Sequence, residues 1–205
     1  MDLTYYERYL PHRLPAGYVF FITFRLAGSL PREVIEHLRE EKLLLEHEAA
    51  VCRAAGHPDA QYTRQKRWFG RFDQCLDEAR YGPAFLCQPE SAAILQPALK
   101  FYHDRSEYDL LAYCLMPNHV HIVVALPESG RPLARILQGL KRYTALEINR
   151  QRSETGQVWQ RESYDHRVRN DQELRNIIAY TLNNPVKAGL VAEWQHWPYS
   201  YWKEV

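Results

Sequence analysis

Apolar positions along this chain repeat with two different periods, and the switches between them outline the fold. Residues 17–28, "GYVFFITFRLAG", are dense in aromatic and β-branched side chains and end at Gly28, which predicts a central strand. Residues 31–51, "PREVIEHLREEKLLLEHEAAV", carry apolar residues three or four apart behind a first-turn Pro31, the pattern of a long amphipathic helix. Gly56 and Pro58 then break the chain, and a basic linker leads to a helix over "FGRFDQCLDEA" (69–79) that ends at Gly82-Pro83. Residues 91–105 predict another helix, interrupted or begun again near Pro97. "YDLLAYCLM" (108–116) and "HVHIVVAL" (119–126) read as two strands joined by a tight Pro-Asn turn. A helix over 133–151 and an extended segment over 157–169 follow. Asp171 is expected to cap a last helix, stopped by Pro185, before an aromatic tail at about 190–205.

The order β-α-(α-α)-β-β-α-β-α predicts an α/β (α+β) ferredoxin-like sandwich, an antiparallel sheet with helices on one face. One domain over 1–205 is expected, with a helical insertion at about 57–106. A hydrophobic fraction of 46 % over 205 residues supports a real core.

Net charge is only +1, but its distribution is uneven. Residues 31–50 hold three basic residues against six glutamates, while residues 131–170 hold nine against four acids. Arg64, Lys66, Arg67 and Arg71 add four positive charges with no acid among them, so a polyanion-binding region is expected. The four cysteines form no CxxC pair, as in a reduced cytoplasmic protein without a zinc knuckle. No apolar run reaches membrane-span length, and no signal peptide is expected.

Two histidines interrupt an otherwise apolar strand in "MPNHVHIVV" (116–124). Side chains alternate along a strand, so His119 and His121 share a face while Val120 points away. Two imidazoles at that spacing either pack as satisfied core residues or grip one divalent ion. In "NIIAYTLNNPVKAGL", Tyr180 and Asn184 lie four apart on one helix face. A free phenol is a weak nucleophile, yet beside a two-histidine metal site Tyr180 could attack a cation-activated electrophile, with Asn184 as third ligand. Otherwise Tyr180 packs the helix and Asn184 merely precedes its stop.

"YCLMPNHVHIVV" resembles the His-hydrophobic-His motif of single-tyrosine HUH transposases, and "AYTLNNPVKAGLV…WPYS" resembles the nucleophile helix of REP-associated tyrosine transposases. "LPAGYVFFITFRLAGSLP", "LKRYTALEINR" and "VWQRESYDHRVR" resemble the same family, in the same order. The resemblance implies that His119, His121 and Asn184 bind Mg²⁺ or Mn²⁺ and that Tyr180 forms a 5′-phosphotyrosine link. It implies cleavage and rejoining of single-stranded DNA at palindromic hairpins by a monomer or homodimer. Arg13 and Arg25, flanking the first strand, would then read the hairpin foot. Arg135, Lys141, Arg142 and Arg150 on one helix would neutralise phosphates. Arg167 and Arg169, alternating with Val168, would approach the site from the preceding strand. Trp159 and Tyr164 either stack bases or pack, Trp194 and Trp197 are assigned to the core, and Asp165 or Glu162 could support the metal ligands. The rival readings are a non-catalytic binder of structured single strands, a water-using metal phosphoesterase, and a structural or RNA-binding sandwich.

Overall fold

Residue alternation along three strands builds the sheet on which everything else is hung. The computed structural model describes residues 6–8, 10–12, 17–54, 60–78 and 82–203. The chain divides into two compact units, residues 1–27 with 84–205, and residues 28–83.

In the larger unit, β1 (Tyr6–Arg8) and β2 (Leu10–His12) pair as a small antiparallel ribbon. β3 (Val19–Arg25), which follows, is a central strand, as its composition predicts. After the smaller unit come α3 (Pro89–Asp104), β4 (Asp109–Leu115), β5 (His119–Ala125), α4 (Leu133–Arg152), β6 (Tyr164–Arg167), α5 (Asp171–Lys187) and β7 (Ser200–Trp202). The sheet is antiparallel with the order β6-β3-β5-β4-β7. Its first four strands, with α3 and α4, have the split β-α-β arrangement of the ferredoxin-like sandwich.

One face carries the core. Phe20, Ile22, Phe24, Val120, Ile122 and Val124 meet Leu95 and Leu99 of α3 and Ile136, Leu140 and Ile148 of α4, all buried. α4 achieves this by its 3.6-residue stripe. The opposite face is also covered: α5 packs against β4, β5 and β7. Helices therefore lie on both faces, which corrects the one-face expectation.

Several boundaries differ from the sequence reading for local reasons. α3 runs unbroken through Pro97, which lies on the exposed side of the helix; so does Ala93, whose carbonyl loses its donor there. α5 likewise continues past Pro185 to Lys187. Its N-cap is Asn170 and not Asp171: Asn170 Oδ1 accepts from the Glu173 N–H at 2.9 Å, and Glu173 Oε2 accepts from the Arg169 N–H at 2.8 Å. These reciprocal bonds satisfy donors the helix start would otherwise leave open. The extended segment 157–169 contains only the four-residue β6 and an isolated bridge from Trp159 to Leu26. The aromatic tail forms a short 3-10 turn, Trp194–His196, and β7, which pairs with β4. Trp194 and Trp197 are half-buried and outside the core; the Trp197 indole N–H donates to the Leu115 carbonyl at 2.9 Å.

The smaller unit holds α1 (Arg32–Ala54) and α2 (Ala60–Asp77). The insertion in the sandwich thus spans 28–83, and α3 belongs to the sandwich. Leu30, Leu38 and Leu76 form its buried centre. The basic stretch expected to be partly a linker is helical, and two of its four cations are paired with acids of α1. Arg71 pairs with Glu41 at 3.2 Å and Arg64 with Glu48 at 3.1 Å, so the acidic excess of α1 meets the basic excess of α2 in antiparallel register. The unit's two ends touch: a Cβ at Gly82 would collide with the Gly28 carbonyl, and both glycines hold positive φ. Cys52, Cys75, Cys87 and Cys114 are free thiols, of which only Cys114 is fully buried. Among the described residues, no helix is long and apolar enough to cross a membrane.

Candidate active site

The face of the sheet turned toward α5 gathers the polar residues. Antiparallel partners project to the same side, and here Thr23 pairs with His121, Arg25 with His119, Phe21 with His166, and Thr23 with Tyr164. The β4–β5 turn is tied down from both sides, because the Leu26 N–H donates to the Asn118 carbonyl at 2.9 Å and the Leu86 N–H to that of Pro117 at 3.0 Å. His119 and His121 thus begin β5 from a fixed turn, and both are fully buried.

The imidazoles face each other through their outer nitrogens, Nε2 to Nε2 at 2.9 Å. Each inner nitrogen is already engaged: His119 Nδ1 with Asn118 Oδ1 at 2.6 Å, His121 Nδ1 with Thr23 Oγ1 at 2.7 Å. Burial, assisted by the positive charge of Lys187, pushes His121 down to about 3. It is therefore neutral at physiological pH, as a metal ligand must be.

α5 brings the remaining groups. The Tyr180 ring lies edge-on to His121, centroids 6.0 Å apart, and edge-on to Phe21 at 6.1 Å. Lys187, seven residues on along the same helix face, stands with Nζ 5.5 Å from the Tyr180 centroid. Asn184, between them, is fully buried, and both its side-chain Nδ2 and Oδ1 lack a hydrogen-bond partner. A buried amide left so costs on the order of 1–3 kcal/mol unless another group satisfies it.

Two converging imidazole nitrogens and an orphaned carboxamide are a donor set suited to a divalent ion. The two Nε2 atoms, 2.9 Å apart, are near enough for one ion to be held by both.

The predicted basic residues are not all brought here. Arg25 is buried at the end of β3, and burial lowers its guanidinium below the usual value. Arg135, Arg142 and Arg150 are exposed on α4, across the sheet from Tyr180. Lys141 is mostly buried, bonding the carbonyls of Gln160, Arg161 and Glu162 and, at 2.7 Å, Ser163 Oγ. Burial lowers its pKa to about 8, and its ammonium braces the 160–163 segment. Arg167 pairs with Phe20, so it leaves the sheet on the face away from Tyr180 and lies over the Tyr18 ring at 4.6 Å. Arg169 lies beyond the end of β6, so the expected same-side pair does not form. Arg13 lies outside the described residues. Trp159 is buried, its indole N–H donating to Thr144 Oγ1 at 2.9 Å, and Tyr164 is buried against Phe21. Neither is open for base stacking.

Sequence reasoning missed Thr23 and Lys187. Lys187 was findable from its spacing to Tyr180; Thr23 is defined only by cross-strand register.

The neutral His121 has a measurable consequence. Its folded pKa, about 3, lies below the ordinary 6.5, so between those values the unfolded chain binds a proton that the folded chain does not. Stability present above pH 6.5 therefore declines as pH falls, by on the order of 2 kcal/mol at pH 5. In chelator-treated protein, the loss of unfolding free energy between pH 7 and pH 5 should be smaller by that amount in His121→Gln. Equal losses in both proteins would show that His121 is not held neutral.

Known proteins similar to this chain point to one family. A family model described as "Transposase IS200 like" matches residues 86–184. A REP-associated tyrosine transposase of Haemophilus influenzae is 32% identical over 102 residues, 45% of this chain and 58% of the relative. One from Escherichia coli K12 is 26% identical over 102 residues, 50% of this chain and 58% of the relative. The chain thus spans little more than half the length of these curated relatives. A solved REP-associated tyrosine transposase bound to a REP hairpin shares the fold, with a TM-score of 0.57 at 18% identity, covering 95% of this chain and 80% of that one.

Proposed function

We propose that this chain, whose residues 86–184 match a family model described as "Transposase IS200 like", cleaves and rejoins single-stranded DNA at palindromic hairpins through a covalent tyrosine intermediate. The observation that carries the reading is Tyr180, set against His121 with the unsatisfied Asn184 one turn on.

Tyr180 Oη attacks the scissile phosphorus; the phosphorus–3′-oxygen bond breaks, leaving a 5′-phosphotyrosine and a 3′-hydroxyl. In the rejoining step a 3′-hydroxyl attacks that linkage and Tyr180 departs as the phenol. One phosphodiester is exchanged for another, so no nucleotide cofactor is needed. His119 Nε2, His121 Nε2 and Asn184 Oδ1 would hold Mg²⁺ or Mn²⁺, which supplies Lewis-acid charge to a phosphate oxygen when bound. Lys187, over the Tyr180 ring, adds fixed positive charge beside the group being transferred. Phe21, itself edge-on to Tyr164, walls the tyrosine on the sheet side. Exposed Arg135, Arg142 and Arg150 on α4 would neutralise phosphates of the strand away from the cut. The enzyme acts in the cytoplasm as a monomer or homodimer.

The test is incubation with a labelled single-stranded REP-type hairpin carrying flanking sequence, with Mn²⁺ or with chelator. A protein–DNA band surviving denaturation, formed only with the ion, is the expected result. Free 5′-phosphate product without that band would favour water as nucleophile, and binding without cleavage a non-catalytic hairpin binder.

A further inference from the structure

Nothing in the ligand set itself explains why two imidazoles should point the same nitrogen at the same spot. A histidine can offer either nitrogen, and a buried pair is free to turn unless something holds it. The geometry points to Asn118 and Thr23 as positioning residues that fix the orientation of His119 and His121 so that both Nε2 atoms face the ion. This rests on the metal-site reading above and adds to it the two groups on which the site's affinity depends.

The two act differently. Asn118 Oδ1 can only accept, so its 2.6 Å contact requires the hydrogen of a neutral His119 to reside on Nδ1. Nε2 then carries the lone pair. Asn118 is well placed for this because its own backbone is clamped by the Leu26 N–H, so the side chain starts from a fixed point. At 4 % exposure, it has no water competing for the bond.

Thr23 contacts His121 Nδ1 at 2.7 Å through a hydroxyl, which can donate or accept. The two Nε2 atoms are within hydrogen-bond distance, and one hydrogen can be shared between them. Since Nε2 of His119 is bare, that hydrogen belongs to His121, and Thr23 donates to His121 Nδ1. To offer Nε2 to an ion, His121 would carry its hydrogen on Nδ1, and the Thr23 hydroxyl would accept from it. Asn118 sets a tautomer and Thr23 follows one. Glu162, considered for a supporting role from sequence, instead accepts from Gln160 Nε2 at 2.9 Å.

The experiment uses the full chain and two readouts other than cleavage. Imidazole nitrogen spectra of the metal-free protein should show His119 as the Nδ1–H tautomer, and Asn118→Ala should lose that signature while the chain keeps its melting transition. Mn²⁺ titration by calorimetry should show affinity falling about 10- to 100-fold in Asn118→Ala and in Thr23→Val. Asn118→Asp and Thr23→Ser, which keep an acceptor and a hydroxyl, should restore most of it. Wild-type His119 in the Nε2–H form would overturn the assignment whatever the metal does. So would wild-type Mn²⁺ affinity in both Asn118→Ala and Thr23→Val. A wild-type protein that shows the Nδ1–H tautomer yet takes up no Mn²⁺ would overturn the metal-site reading and with it the role of both residues toward an ion.

Discussion

Tyr180→Phe should leave a protein that folds, binds hairpin DNA and forms no covalent adduct. The change removes one oxygen and keeps the half-buried ring that lies T-shaped to Phe21 and His121. Stability should shift by no more than about 1 kcal/mol. The reaction loses its attacking atom outright, and cleavage should fall by at least about 10³-fold, with no residual adduct on a denaturing gel. Hairpin affinity, measured by gel shift, should remain within a few-fold of the unaltered protein. A persistent adduct would mean another side chain carries the DNA. Lost cleavage accompanied by lost binding would mean the ring oxygen serves recognition.

The second large effect belongs to the imidazoles. His119→Ala combined with His121→Ala should abolish Mn²⁺ binding and reduce ion-dependent cleavage by on the order of 10³-fold or more, because both imidazole donors are lost. Both rings are buried, and truncation leaves Asn118 and Thr23 facing a cavity, so a lower melting temperature is expected as well. The gentler pair His119→Gln and His121→Gln keeps volume and polarity and separates lost fold from lost ion. Undiminished ion-dependent cleavage in that folded variant would remove the histidines from the site.

How much of this could be read from sequence depends on whether the signal is local. The β4–β5 hairpin, the facing histidines and the Tyr180–Asn184 spacing follow from periods of two and 3.6 residues within one element, and all are where those periods require. Features set by partners distant in the chain were misread. Residues 60–68 looked like a basic linker because the glutamate that pairs with Arg64 lies on another helix, 16 residues earlier. Lys141 looked like a phosphate ligand because the carbonyls it braces belong to a segment 19–22 residues later. Pro97 and Pro185 looked like stops, but α3 and α5 run on through both, and at Pro97 the bond given up lies on the exposed side of the helix. β7 was unreadable because a tryptophan- and proline-rich run carries no alternation, and only the open edge of β4 makes it a strand. α5 covers the second sheet face for a related reason: an amphipathic stripe says that a helix packs, not on which side.

The touching ends of residues 28–83 bear on how such a protein can change over evolutionary time. A segment that departs and returns at adjoining glycines transmits little of its own length to the strands on either side, and closing a longer loop costs only about 0.6 kcal/mol per doubling. Whole helices could be gained, lost or exchanged between Gly28 and Gly82 while β3 and β5 keep the pairing that sets Thr23 opposite His121. Variation in chain length should concentrate at that seam, leaving the catalytic register untouched.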